Sequence, residues 1–216
     1  MTATGAGGKA SPTPGDEPVL LVHGYGDTGS SPWWRTLARY FSEVGYESDA
    51  VETLSLGLFP GTTVRSPEYY ARRIGQAVRR LHDEHGSKVD IVAHSMGGLG
   101  ARWYIERDGG EGHVDHLVTL GTPHQGTSLA YMGALTPGGR AMTPDSSLLT
   151  TLNGRRLPES VEYTAVWSAD DDLIRPGENA RLPFEAANVT NLRVRGPDHM
   201  GLVSSRSVFD RYVRRL

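Results

Sequence analysis

The chain has 216 residues, enough for one compact α/β domain and too few for two with separate cores. Its 22 basic against 25 acidic residues leave a formal charge of -3, which argues against a dedicated nucleic-acid binder or a polybasic membrane anchor. There is no cysteine, so disulfides, thiolate chemistry and zinc–thiolate sites are excluded; glycine, at 27 residues, is in excess and suits tight turns between elements.

Residues 1–17 are rich in Gly, Ala, Ser, Thr and Pro and read as a disordered lead-in, with no apolar stretch that would make a signal peptide. No run anywhere approaches the roughly 18 apolar residues of a membrane helix. Val19-Leu20-Leu21-Val22 has no polar alternation and predicts a strand buried on both faces. Ser31-Pro32 opens a helix that runs to Gly45, with Leu37, Phe41 and Val44 on one face. A strand is expected over Tyr46–Val51, then a turn-rich apolar loop from Leu54 to Gly61. Ser66-Pro67 opens a second helix, with Ile74, Ala77, Val78 and Leu81 facing the core and Gly86 as its stop. A strand at Val89–Ala93, a helix over Met96–Arg107 and a strand at His113–Leu120 follow.

The segment 121–160 predicts an irregular, flap-like insert with one helix, capped by Asp145 or Ser146 and closed by Asn153-Gly154. Strands at Glu162–Trp167 and Val189–Val194 and an amphipathic helix at Ser205–Arg215 complete the chain. This alternation predicts a single domain over residues 18–216, with a mainly parallel central sheet and helices on both faces.

The strongest local signal is Ala93-His94-Ser95-Met96-Gly97-Gly98, between a buried strand and a helix. It reads as a nucleophile elbow, in which a strained turn exposes a serine hydroxyl above the sheet and the flanking small residues let helix and strand approach. The plainer reading is a small-residue turn with Ser95 as a helix cap. A serine hydroxyl needs a base, and that base an orienting acid, in the chain order Ser, acid, His. Of the eight histidines only His199 lies in a loop after the last expected strand. Asp170, Asp171 and Asp172 all follow the preceding strand, and any of them suits the acid.

Asp171-Asp172-Leu173-Ile174-Arg175-Pro176, together with the elbow, resembles the α/β-hydrolases of the lipase and carboxylesterase class, especially the small, nearly lidless Bacillus-type lipases. The likeness runs from Pro18 to Leu216 and includes Val22-His23-Gly24-Tyr25 and Thr119–Thr127, although Ala93 stands where the elbow commonly has glycine. The resemblance implies an α/β-hydrolase fold with a minimal cap and a triad of Ser95, Asp171 and His199. It also implies that the backbone N–H groups of Tyr25 and Met96 serve the oxyanion. Asp170 and Asp172 are then solvated loop acids, and His124 a structural hydrogen-bonding residue. It further implies a secreted enzyme that works without a cofactor or metal, as a monomer, on a lipid or ester substrate at or near a lipid–water interface.

Apolar residues crowd the expected carboxyl edge of the sheet, and Leu56, Phe59, Leu129, Met132, Ile174 and Met200 are the candidate substrate contacts. The same triad would serve a thioesterase or an acyltransferase. Two rival motifs weaken on inspection. Gly24-x-Gly26-x-x-Gly29, with Asp49 and Glu52 beyond it, has the spacing of a dinucleotide site, but the helix start at Pro32 lies past the last glycine. His82 and His85, which share a helix with metal-ligand spacing, read more simply as a hydrated helix end.

Overall fold

The apolar run Val19–Val22 (β1) is covered on both faces: Leu20 and Val22 enter one hydrophobic layer, Val19 and Leu21 the other. Val89–His94 (β3) behaves in the same way, with Ile91 and Ala93 on one side and Val92 on the other. In the computed structural model, which describes residues 17–216, these two strands lie side by side in a six-stranded sheet. The others are β2 (Val51–Leu54), β4 (Val114–Leu120), β5 (Glu162–Ser168) and β6 (Val189–Val194). The order is β2-β1-β3-β4-β5-β6 and every pairing is parallel. The expected lead-in lies outside the described residues except for Glu17.

Helices α1 (Pro32–Glu43), α6 (Gly201–Ser204) and α7 (Arg206–Tyr212) cover one face of the sheet. Helices α2 (Pro67–His85), α3 (Met96–Arg107) and α5 (Ser147–Asn153) cover the other. In α2 the expected Ile74, Ala77, Val78 and Leu81 are all buried. The proline-led starts also hold, but Ser31 and Ser66 make no side-chain cap; Ser31 Oγ donates to Asp27 instead.

Three elements depart from expectation. β2 begins at Val51, not Tyr46, because Tyr46 folds back on the end of α1: its N–H donates to the Phe41 carbonyl and its ring meets the Phe41 ring at 5.0 Å. The insert holds more than one helix. A 3-10 helix (Ser128–Gly133) and α4 (Pro137–Ala141) precede α5, each capped by a hydroxyl from Thr127, Thr136 or Ser146. The last helix starts after Ser205 as expected, but its end, Val213–Arg215, is 3-10. The short α6, unexpected in the loop before it, is divided from α7 by the extended Ser205.

The insert is tied down from within. Arg102 on α3 is fully buried and donates to Glu106, to Asn153 Oδ1 and to the Leu152 carbonyl, so α5 is anchored to α3 by hydrogen bonds as well as by apolar contact.

Candidate active site

β3 ends one residue before a sharp turn, and Ser95 occupies it at φ 54, ψ -131, a conformation that is costly for a residue with a side chain. Neighbouring strands hold it there. The Ser95 N–H donates to the Leu120 carbonyl at 2.9 Å, and Thr122 Oγ1 donates to the Ser95 carbonyl at 2.8 Å. The turn has no room for larger residues: a Cβ on Gly97 would stand 2.5 Å from the His23 carbonyl oxygen, and one on Gly24 would stand 2.7 Å from Ser95 Cβ. The loop after β1, which carries Tyr25, is therefore pressed directly against the elbow.

Asp27 fixes that loop. Its carboxylate accepts from Ser31 Oγ, from the indole N–H groups of Trp33 and Trp34 at 3.0 and 2.9 Å, and from the Thr28 N–H at 2.7 Å. Burial pushes the acid upward, but these donors outweigh it and hold Asp27 below the ordinary carboxylate range.

His199 lies in the loop after β6, and its Nδ1 is 2.9 and 3.1 Å from the two oxygens of Asp171. Asp171 Oδ1 also accepts the N–H groups of Leu173 and Ile174, each at 2.9 Å. Burial would raise this acid as well; the hydrogen bond and charge of His199, with the two backbone donors, hold it low. Gly121 makes room for the pair. At its φ of 56 a side chain is strained, and a Cβ there would stand 2.9 Å from Asp171 Oδ2 and 3.1 Å from His199 Nδ1. Asp170 and Asp172 are exposed loop acids, as expected, and each also accepts a backbone N–H, from Gly196 at 2.8 Å and from His199 at 3.1 Å, which ties the acid-bearing loop to the histidine-bearing one.

Ser95 and His199 open on one cavity of about 600 Å³. Tyr25, Leu129, Ile174 and Met200 line it, as do Trp33, Pro60 and Met142. Met96 is buried at the first position of α3, and its backbone N lies 3.3 Å from the space that a Gly24 side chain would fill. Three expected contacts do not line the cavity. Leu56 is core, drawn inward because its N–H donates to His23 Nε2 at 2.8 Å. Phe59 and Met132, 61% and 87% exposed, stand outside the wall, where Pro60 and Leu129 take their places.

The rival motifs have structural employment elsewhere. α1 begins beyond the glycine run, Asp49 is exposed, and Glu52 pairs with Arg80. His82 Nδ1 donates to the Ser87 carbonyl at 2.7 Å, and His85 is exposed. His124 is fully buried between Thr119 Oγ1 and Arg102, away from Ser95, in agreement with a structural role. Among the described residues, Glu17, Asp90 and His116 have metal-ligand spacing, within 4.8 Å of one another, at the opposite end of the sheet. There His116 Nδ1 is already engaged with Asp90 Oδ1 at 2.9 Å. Sequence reasoning did not single out Asp27 or His94; an acid five residues ahead of a proline-led helix start and followed by two tryptophans is the signal that would have found Asp27.

Residues 18–170 match the model of a family described as palmitoyl protein thioesterase. Over 213 residues the chain is 27% identical to lipase B of Pseudozyma antarctica, an alignment covering 91% of this chain and 60% of that protein. The chain thus spans about 60% of the length of that curated relative. Of solved structures, the mature lipase BlEst2 of Bacillus licheniformis aligns with a TM-score of 0.76 at 17% identity, covering 95% of this chain and 94% of that one. Lipase B of Aspergillus fumigatus aligns with a TM-score of 0.71 at 20% identity, covering 87% and 49%. These structural likenesses are of fold, and the fold is that of the α/β-hydrolases.

Proposed function

The chain belongs to the palmitoyl protein thioesterase family of α/β-hydrolases, and from that premise we propose that it is a serine hydrolase cleaving carboxylic esters with apolar acyl groups. The observation that carries this reading is the Asp171-bound His199 opening, with Ser95 on its strained turn, onto one apolar cavity. Ser95 Oγ attacks the acyl carbonyl carbon while His199 Nε2 takes the hydroxyl proton. Asp171, kept ionised, holds the Nδ1–H and balances the imidazolium.

The N–H groups of Tyr25 and Met96 donate to the oxyanion; losing one such donor costs about 3 kcal/mol in comparable hydrolases. Collapse breaks the bond to the leaving alcohol, which receives the proton from His199. Water then releases the acid from the acyl-enzyme by the same steps in reverse. No step calls for a cofactor.

No helix among the described residues is long and apolar enough to cross a membrane. Leu58 and Leu135, 92% and 97% exposed, join Phe59 and Met132 in an apolar rim suited to a lipid–water interface. A second reading, thioester hydrolysis on the same triad, is favoured by the family's own description and by an acyl cavity indifferent to the leaving atom.

The test has two arms. A fluorophosphonate probe with intact-mass readout should add once to the protein and fail on Ser95→Ala; equal labelling of that variant rejects Ser95. Turnover of p-nitrophenyl esters, from acetate to palmitate, is then compared with that of an S-palmitoyl thioester. Preference for the thioester replaces the first reading with the second.

A further inference from the structure

The proposed triad leaves one buried histidine without a role. His94, the last residue of β3, is only 3% exposed and packs its ring against that of His199, with centroids 4.4 Å apart and planes at 45°. The Trp34 ring also packs against it in a T-shaped contact, with centroids 6.4 Å apart. We propose that His94 is a positioning residue for His199, holding that histidine's main chain through a hydrogen bond from its Nε2–H to the His199 carbonyl, 3.1 Å away. The inference rests on the triad reading above.

The need for such a hold follows from the loop. His199 lies beyond the end of β6, after Gly196 at φ 95 and Pro197, so no strand partner fixes its peptide groups. Side chains do so instead. Asp172 Oδ1 accepts its N–H at 3.1 Å, Asp171 accepts at Nδ1, and His94 reaches its carbonyl. With these three taken, Nε2 is the ring atom left for Ser95. His94 is rigid because it belongs to a central strand, whereas Asp171 and Asp172 are on a loop. It links the histidine directly to the residue preceding the nucleophile, so Ser95 and His199 are registered to each other through one side chain.

A donor at this place has to stay uncharged, since a cationic neighbour would oppose the imidazolium that His199 forms in turnover. Burial, reinforced by the nearby His199, pushes His94 down to about 3, so it is neutral at any pH where the enzyme would work. A neutral imidazole that bonds a carbonyl through Nε2 carries its proton there.

The first experiment needs no variant. Long-range 1H–15N correlation spectra of the histidine-labelled full chain should show His94 as the neutral Nε2–H tautomer from pH 5 to 8. An Nδ1–H tautomer overturns the proposal, because Nε2 then has no proton to donate. The second compares His94→Phe, which keeps a ring and loses the donor, with His94→Gln, which keeps an N–H. His94→Phe should lower kcat roughly 10- to 100-fold with KM little changed, and slow fluorophosphonate labelling of Ser95 by the same factor, the scale of loss for a small misplacement of a catalytic group. His94→Gln should recover most of the loss.

A folded His94→Phe with wild-type kcat, or a folded His94→Gln no better than it, overturns the proposal. If wild-type protein neither labels nor hydrolyses, the triad reading fails, while the tautomer measurement still decides the contact. That measurement also decides it if neither variant folds.

Discussion

Two aspartate–histidine pairs stand at opposite ends of the sheet with the same Nδ1-to-carboxylate distance of 2.9 Å, Asp171–His199 at the carboxyl ends of the strands and Asp90–His116 at the amino ends. Their surroundings push the acids in opposite directions. Asp171 receives two loop N–H groups and is held below the ordinary carboxylate range. Asp90 is buried beside Glu17 and Asp115, and burial, helped by the charge of Asp115, raises it despite His116. At the carboxyl edge loops turn donors toward a carboxylate; at the amino edge carboxylates crowd together. A hydrogen-bonded His–Asp pair is thus no site by itself, and what separates the two is a strained serine and a cavity.

The same substitution at both ends gives the largest contrast. Asp171→Asn should lower ester turnover by about 10⁴-fold, the scale seen when a triad aspartate loses its charge. Asp90→Asn should leave kcat unchanged and alter only the melting temperature. Steady-state kinetics on both, with circular dichroism confirming the folds, decides the matter; equal losses would mean that the pairs are not functionally distinct.

Gly121→Ala sharpens the comparison without touching either acid. The added carbon strains a residue at φ 56 and collides with Asp171 Oδ2 and His199 Nδ1. Stability should fall by roughly 1–2 kcal/mol from the backbone alone, and turnover by about 100-fold because the pair is displaced. Urea denaturation and kcat measured together separate the two effects. Unchanged kcat in a destabilised but folded protein would show that the pair tolerates displacement.

The carboxyl edge was also the more legible end. β1 and β3 announce themselves as unbroken apolar runs because both of their faces are covered, and the elbow because Gly97 must lie against a carbonyl of the β1 edge. Asp171 was less plain: three adjacent acids carry the same chemistry, and only the family pattern chose among them, whereas the structure separates them by what each accepts. Loop side chains were hardest, since an apolar residue without periodicity points either way. Leu56 turns inward because a histidine captures its N–H, a contact 33 residues apart in sequence. The Glu17–Asp90–His116 cluster had no sequence signature, because the sheet register and the segment leading into β1 bring its members together.

Acyl preference tests the cavity itself. Each buried methylene is worth about 0.8 kcal/mol at most, so butyrate to decanoate esters should exceed acetate in kcat/KM by roughly tenfold, equivalent to about 1.4 kcal/mol. Met132→Ser and Leu135→Ser lie on the exposed rim outside the wall, and should reduce activity on an emulsion while sparing dissolved esters. Acetate as the best substrate, with longer soluble esters refused, would leave the apolar wall without a role in acyl binding.

The smallest expected effect belongs to the amino edge and concerns stability alone. Burial, then the charges of Asp90 and Asp115, raise the Glu17 carboxyl to about 7. An acid raised on folding favours the native state while protonated, so that contribution is complete below its unfolded value near 4.5 and is lost as pH climbs through about 7. Asp90 and His116 are also raised, so the cluster as a whole weakens the fold on the alkaline side. Asp27 and Asp171 are lowered and act oppositely: they stabilise above the ordinary carboxylate range and lose that contribution as pH falls. Stability should therefore peak at mildly acidic pH. Glu17→Gln removes one ionising member and should raise the melting temperature at pH 8 by about one or two degrees, a modest gain because a partly exposed carboxyl is screened by water. At pH 4.5, where the carboxyl is protonated in the folded chain, the variant and wild type should melt together. Parallel melting curves for the two proteins across pH 4.5 to 8 would show that Glu17 does not titrate with folding, and the acidic optimum would then have to come from Asp90 and His116.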